Sequence, residues 1–163
     1  MKSLFKLVVL AFLLFASVDS FAQEQAQEGG LEYGIHFGRF LPAGIDGITE
    51  IMPMWGLTFG GGVNQKFFEG GFLGGNAFGA KYSSLYAGLR LDMPVEQLLG
   101  TISFGLQLTS YETDTGIKQD RGGGYIGGGV MSQLDPDIWL RIDMKFSSTP
   151  GSGLYFGLGF VIR

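Results

Sequence analysis

The stretch from Leu154 to Ile162 alternates large apolar residues with mostly small ones. A period of two residues is that of a β-strand whose two faces meet different surroundings. Glycine opposite a large apolar face is typical of a strand with lipid on one side and a narrow barrel interior on the other. We therefore predict a lipid-facing belt made of Leu154, Phe156, Leu158, Phe160 and Ile162.

Residues 1–22 have the three parts of a secretory signal peptide. Lys2 and Lys6 are basic, an apolar run follows from Leu7 to Ala16, and Ser20 to Ala22 supplies the small residues that a signal peptidase recognises. The run is shorter than the roughly 20 residues that a membrane-spanning helix needs. We predict cleavage after Ala22, a flexible periplasmic tail over residues 23–30 and a barrel over residues 31–163.

The composition excludes several classes of protein. Without cysteine the chain cannot form disulfides, a thiolate metal site or a lipoprotein anchor. A net charge of −4 gives no electrostatic case for binding nucleic acid. The 29 glycines are mixed with 15 phenylalanines, which argues against disorder. Since no stretch after Ala22 could span a membrane as a helix, a membrane location requires a closed barrel.

Alternation of period two recurs in eight segments that turn-forming residues separate. Each segment has about ten residues, which is enough for a tilted strand to cross the hydrocarbon layer. If the N-terminus is periplasmic, the longest surface loop runs from Pro42 to Pro53. Glycine leaves the phase of the third and sixth strands undetermined. The predicted strands are Leu31–Leu41, Met54–Asn64, Lys66–Gly75, Tyr82–Met93, Thr101–Tyr111, Arg121–Ser132, Asp137–Ser147 and Gly153–Ile162.

Charged side chains on these strands lie mainly on the face opposite the apolar belt. A soluble sandwich or lipocalin-like barrel would invert the two faces, and the charges of the seventh strand would then be costly in a dry core. Small barrels are filled by side chains, so we favour a paired plug over a polar pathway. The predicted lumen cluster contains Glu32, His36, Arg90, Asp92, Arg141, Asp143 and Lys145.

No motif predicts a catalytic residue, a metal or a cofactor. His36 is followed by Phe37 and Gly38, so we expect no nucleophile within its reach. A G-x-G-x-x-G match that begins at Gly122 lacks the strand before it and the helix after it that dinucleotide binding needs. Acidic residues near 112–120 and 135–137 could supply calcium ligands, but solvated turns account for them.

The signal peptide, the strand count, the absence of cysteine and the alternating last strand resemble the small eight-stranded outer-membrane β-barrels of the OmpX and OmpA-domain type. The resemblance covers Leu31 to Arg163. It implies an integral protein of a Gram-negative outer membrane, with outer-membrane lipids and the outer-membrane assembly machinery as partners. One departure is that such barrels usually end in an aromatic residue, whereas Arg163 follows Ile162 here.

The resemblance favours a non-enzymatic, structural role in which the barrel presents loops at the cell surface. Two alternatives stay open at this stage. One is the uptake or binding of a small apolar molecule. The other is modification of lipid A, since some enzymes that resemble this class use histidine together with serine and an acid. No ligand, oligomeric state or biological process follows from the residues.

Overall fold

The structure, a computed structural model, describes residues 30–43, 45, 48, 50–63, 65–148 and 152–163. The signal peptide and all but the last residue of the predicted tail lie outside these residues. No helix of the described residues is long and apolar enough to cross a membrane. The strands are β1 (Gly30–Pro42), β2 (Met52–Val63), β3 (Lys66–Ala77), β4 (Ala80–Val95), β5 (Leu98–Glu112), β6 (Lys118–Asp135), β7 (Ile138–Ser148) and β8 (Gly153–Ile162).

The eight strands form one closed antiparallel barrel. Each strand pairs with the next along the chain, and β1 pairs with β8 to close the ring, so that Ile35 of β1 lies opposite Leu57 of β2 and Phe160 of β8. A closed ladder has no edge strand, and only strand ends such as residues 118–123 of β6 extend beyond the pairing with a neighbour. The all-β, eight-stranded fold predicted from the alternation is confirmed. We call the end with Gly30 and Ile162 the terminal end, and the end with residues 43–51 the loop end.

Six of the eight strands are longer than their alternation alone indicated, while β7 and β8 have the predicted length. The gaps predicted between the third and fourth strands and between the fourth and fifth are too long, because the ladder continues into two-residue turns at residues 78–79 and 96–97. Pro94 therefore lies inside the β4–β5 ladder opposite Leu99, where the sequence indicated a break. β1 also begins at Gly30, one residue inside the predicted tail.

The two faces of each strand have opposite character. In β8, Phe156, Leu158, Phe160 and Ile162 are between 44% and 57% exposed, and Leu154 is partly buried. The residues between them point inward, with Tyr155 and Val161 almost fully buried. Large apolar side chains are exposed on the outside of seven of the eight strands, β3 being the exception, which is the reverse of a water-soluble barrel.

Glycines on the inner face make room for aromatic rings. A Cβ atom built on Gly38 or Gly157 would overlap the side chain of Tyr155. The same is true of Gly71 and the phenol of Tyr86. The small residues opposite the apolar belt therefore do not leave an open channel, because tyrosine rings from neighbouring positions occupy the space above them.

Candidate functional site: the charged barrel interior

The structure places all seven residues of the predicted lumen cluster inside the barrel. Each of them is at most 5% exposed, although they come from β1, β4 and β7. Strands that cross a narrow barrel bring residues that are distant in sequence to the same depth. Two further charged residues, Glu69 and Arg163, join them there. We call these nine residues the interior cluster.

Glu69 lies at the centre of the interior cluster. Its Oε2 accepts hydrogen bonds from Nη1 of Arg141 at 2.5 Å and Nη1 of Arg90 at 3.1 Å, and its Oε1 accepts one from Nζ of Lys145 at 3.1 Å. One carboxylate therefore serves three cations from two strands. Sequence analysis missed Glu69 because the surrounding glycines hide the alternation of β3. The charge of Glu69 could have shown that it points inward, because the outer faces of the other strands carry almost no charge.

Arg90 joins the carboxylates at the terminal end of the barrel. Its guanidinium donates to Asp92 through Nε at 2.7 Å and to Glu32 through Nη2 at 2.8 Å, while Nη1 lies 2.6 Å from the second oxygen of Glu32. The planar group also lies 4.6 Å from the centre of the Phe67 ring. Such forked contacts fix the orientation of both partners as well as their charge.

Arg163 turns back into the terminal end of the barrel. Its Nε lies 2.5 Å from Oε1 of Glu32, and its Nη2 donates to Oδ2 of Asp92 at 2.8 Å. The guanidinium lies over the rings of Phe67 and Trp139, at 4.7 and 5.4 Å from their centres. The residue that departs from the usual aromatic ending thus makes contacts with β1, β3, β4 and β7.

The charges of the interior cluster balance. The cations are Arg90, Arg141, Lys145 and Arg163, and the anions are Glu32, Glu69, Asp92 and Asp143. Each of the eight lies within 4 Å of at least one partner of opposite charge. Buried charges are tolerated only when they are paired in this way, so the arrangement is that of a self-neutralising plug.

His36 has a hydroxyl within its reach, and the expectation that it had none is wrong. Its Nε2 lies 3.0 Å from Oγ1 of Thr58, and its Nδ1 lies 3.7 Å from Oδ2 of Asp143. Thr58 was missed because it lies in β2 and is far from His36 in sequence. Only the register of β1 against β2 brings the two side chains together. The order of hydroxyl, imidazole and carboxylate is that of a hydrolase triad, but all three side chains are buried.

Aromatic and small polar side chains fill the interior between the charges and the loop end. The rings of Phe40 and Tyr82 stack at 4.3 Å, and Nζ of Lys145 lies 3.8 Å from the centre of the Tyr86 ring. The cavity among these side chains has a volume of about 10 Å³, which is room for about one water molecule. Neither Thr58 nor His36 lines it.

Metal ligands are not grouped in the described residues. No three histidine, aspartate or glutamate side chains there are arranged so that they could hold a metal ion. The carboxylates of the interior cluster are instead paired with arginine and lysine. This arrangement supplies neutralisation and rigidity, not coordination chemistry.

Comparison with known proteins supports the fold and does not indicate a family or an activity. No protein-family model and no curated protein matches the sequence. Among solved structures, neisserial surface protein A has a TM-score of 0.65 at 12% identity, over 86% of this chain and 99% of that one. The N-terminal β-barrel domain of Pseudomonas aeruginosa OprF has a TM-score of 0.64 at 11% identity, over 83% and 98%.

A third solved structure is Ail, the attachment invasion locus protein of Yersinia pestis, with a TM-score of 0.52 at 12% identity, over 85% and 98% of the two chains. At these identities the likeness is one of architecture. The resemblance to small eight-stranded outer-membrane barrels is confirmed at the level of the fold.

Proposed function

We propose that the chain is an integral outer-membrane protein of a Gram-negative bacterium, with outer-membrane lipids around its apolar belt. Three observations support this proposal. The outer face of the strands is apolar, the ladder is closed, and the fold is shared with outer-membrane barrels. Delivery by the outer-membrane assembly machinery is part of the same proposal, because open strand edges are not tolerated in the hydrocarbon layer and the barrel must close as it inserts.

The role that we propose is structural: a rigid barrel with a closed lumen that presents loops at the cell surface. The observation that carries this role is the charge-balanced interior cluster. Uptake or binding of a small molecule inside the barrel finds little support. Ligand pockets usually measure about 300–1,000 Å³, whereas the interior cavity measures about 10 Å³.

An enzymatic role is supported less well than a structural one. The Thr58–His36–Asp143 arrangement has the right order of groups, but a nucleophile must reach the bond that it attacks. The side chain of Thr58 is buried inside the barrel, and the interior cavity does not extend to it. We therefore interpret the three residues as part of the interior packing, in which His36 is hydrogen-bonded to Thr58 and Asp143 is paired with Arg141.

Planar-bilayer recordings test the closed lumen. We expect purified protein to show no steady conductance, because paired side chains fill the interior. Combining Glu69→Ala with Arg141→Ala keeps the charges balanced while removing two large side chains, and we expect this variant to conduct. Glu112→Gln, at an exposed ion pair outside the interior cluster, should be as silent as the wild type. Stable, reproducible openings of the wild type would contradict the closed lumen and favour transport.

A further inference from the structure

One charged residue interrupts the apolar outer belt of the barrel. Arg39 of β1 is exposed and points outward. Its outward neighbours along the strand are Phe37 and Leu41, which are 55% and 39% exposed. Across the two ladders it lies opposite Pro53 of β2 and Phe156 of β8. A cation is therefore placed among apolar side chains, on the surface that we assign to lipid.

The other charged residues on the outer face lie closer to strand ends. Each is one of the first three residues of its strand or the last one, and Lys81 and Glu112 form an ion pair at 3.8 Å. Arg39 lies deeper, because β1 continues to Pro42 and Leu41 lies beyond it. The other outward charged residues of the strands are Lys66, Lys81, Glu112, Lys118, Asp120 and Asp135.

Arg39 has no partner within the part of the chain that the structure describes. The arginines of the interior cluster pair with carboxylates, and Arg121 donates a hydrogen bond to Gln119. Arg39 forms neither an ion pair nor a side-chain hydrogen bond with any of the described residues. Its guanidinium carries five N–H donors, so a group that accepts their hydrogen bonds must come from the surroundings of the belt.

The position of Arg39 along β1 determines its depth in the membrane. The outward apolar residues of β1 run from Leu31 to Leu41. At a rise of about 3.3 Å per residue and a tilt of about 40°, this span covers about 25 Å, the height of the apolar band of a membrane barrel. Arg39 then lies about 5 Å inside the loop-end border of that band.

From this depth the side chain of Arg39 can extend its guanidinium to the lipid headgroups while its apolar stem stays in the belt. Trp55 supports the position of the border. It lies opposite Phe37 in the β1–β2 ladder and is 48% exposed, and tryptophan is enriched at membrane–water interfaces. The guanidinium of Arg39 is therefore at the level of the headgroups in the leaflet at the loop end.

We propose that Arg39 binds the phosphate of an anionic lipid in the leaflet at the loop end. The proposal rests on the membrane location of the proposed function and names one lipid contact within it. The forked N–H groups of a guanidinium match two oxygens of a phosphate. Phe37 and Phe156 lie beside Arg39, where they contact an acyl chain of the same lipid. An anionic headgroup fits better than a zwitterionic one, whose own cation competes for the phosphate.

A lipid titration tests the contact in purified protein reconstituted in phosphatidylcholine nanodiscs. The phosphatidylcholine is replaced stepwise by phosphatidylglycerol, which has the same chains and an anionic headgroup. We expect the Nε–H signal of Arg39 and the backbone amide signals of residues 38–40 to shift until they saturate. Glycerol 3-phosphate, added to the solution at millimolar concentration, supplies the phosphate without the chains and should leave these signals unchanged.

Variants assign the shift to Arg39. Arg39→Gln removes the charge and should abolish the response of residues 38 and 40 to phosphatidylglycerol. Arg39→Lys keeps the charge without the fork and should need a larger share of phosphatidylglycerol for the same shift. Lys66→Gln is the matched control, because Lys66 is an exposed, outward basic residue at the terminal end, where β3 begins. This variant should respond at residues 38–40 as the wild type does.

Three results would overturn the proposal. Unchanged shifts in Arg39→Gln would exclude the arginine as the contact. Shifts of equal size at residues 38–40 and at Lys66 would mean a general effect of membrane surface charge. The same shifts with dissolved glycerol 3-phosphate would mean a site for free phosphate that does not need a lipid.

The gel shift of unboiled samples reports insertion of the barrel separately from this titration. A protein that inserts into the nanodisc but shows no response to phosphatidylglycerol would contradict the contact at Arg39 and leave the proposed function intact. A chain that does not insert would contradict both.

Discussion

Leu158→Arg is expected to prevent most of the protein from folding into lipid vesicles. Leu158 lies midway along β8, opposite Phe37 and Ile142, and its side chain points outward. An arginine near the middle of the hydrocarbon layer costs about 2–4 kcal/mol. That is a large part of a total free energy of unfolding of about 5–15 kcal/mol. The folded fraction, measured by the gel shift of unboiled samples, should fall sharply.

Ile117→Arg is the matched control for this change. Ile117 is 55% exposed and Leu158 is 44% exposed, so both are apolar side chains on the surface of the barrel. Ile117 lies in the β5–β6 connection at the loop end, outside the strands, where we expect an arginine to remain in water. The control should fold as the wild type does. Normal folding of both variants would mean that water surrounds both positions and that the outer belt does not face lipid.

Glu69→Gln is expected to cause the largest loss of stability among changes inside the barrel. The substitution keeps the shape of the side chain but removes the negative charge that Arg141, Lys145 and Arg90 share. Removing one partner of a buried ion pair costs about 3–5 kcal/mol, because the remaining charge stays buried without compensation. Urea-induced unfolding in lipid vesicles, followed by tryptophan fluorescence, would measure the change.

Glu112→Gln is the corresponding control at the surface. Glu112 lies 3.8 Å from Lys81, and both side chains are largely exposed, at 41% and 69%. Exposed ion pairs contribute about 0–1 kcal/mol, so the free energy of unfolding should change little. Similar losses in Glu69→Gln and Glu112→Gln would contradict a plug held by buried charges, and would place solvent around Glu69.

The sequence was sufficient for the architecture because most strands repeat one simple rule, the alternation of apolar residues with small or polar ones. In β8 a large apolar residue recurs at every second position and the residues between are mostly small, so both the strand and its two faces can be predicted. The seven lumen residues that the same alternation predicted lie inside the barrel. The alternation fails in β3, where Gly70 and Gly71 have no side chain to mark a face. Glu69 was overlooked for that reason, although it pairs with three cations of the interior cluster.

Other features depend on register, which alternation does not determine. Thr58 meets His36 only because of how β2 pairs with β1, and a shift of one residue would turn its side chain outward. The contacts of Arg163 with Glu32 and Asp92 likewise require β1, β4 and β8 to meet at the terminal end. None of these sites has a local motif.

The location of the folded protein tests the membrane account most directly. Outer membranes from cells that express the chain would be washed with alkaline carbonate, and the retained protein would be compared with and without boiling on a denaturing gel. We expect the protein to remain in the membrane pellet and the unboiled barrel to migrate differently from the boiled chain. A protein found in the soluble periplasmic fraction, with the same mobility before and after boiling, would contradict the account and indicate a water-soluble barrel.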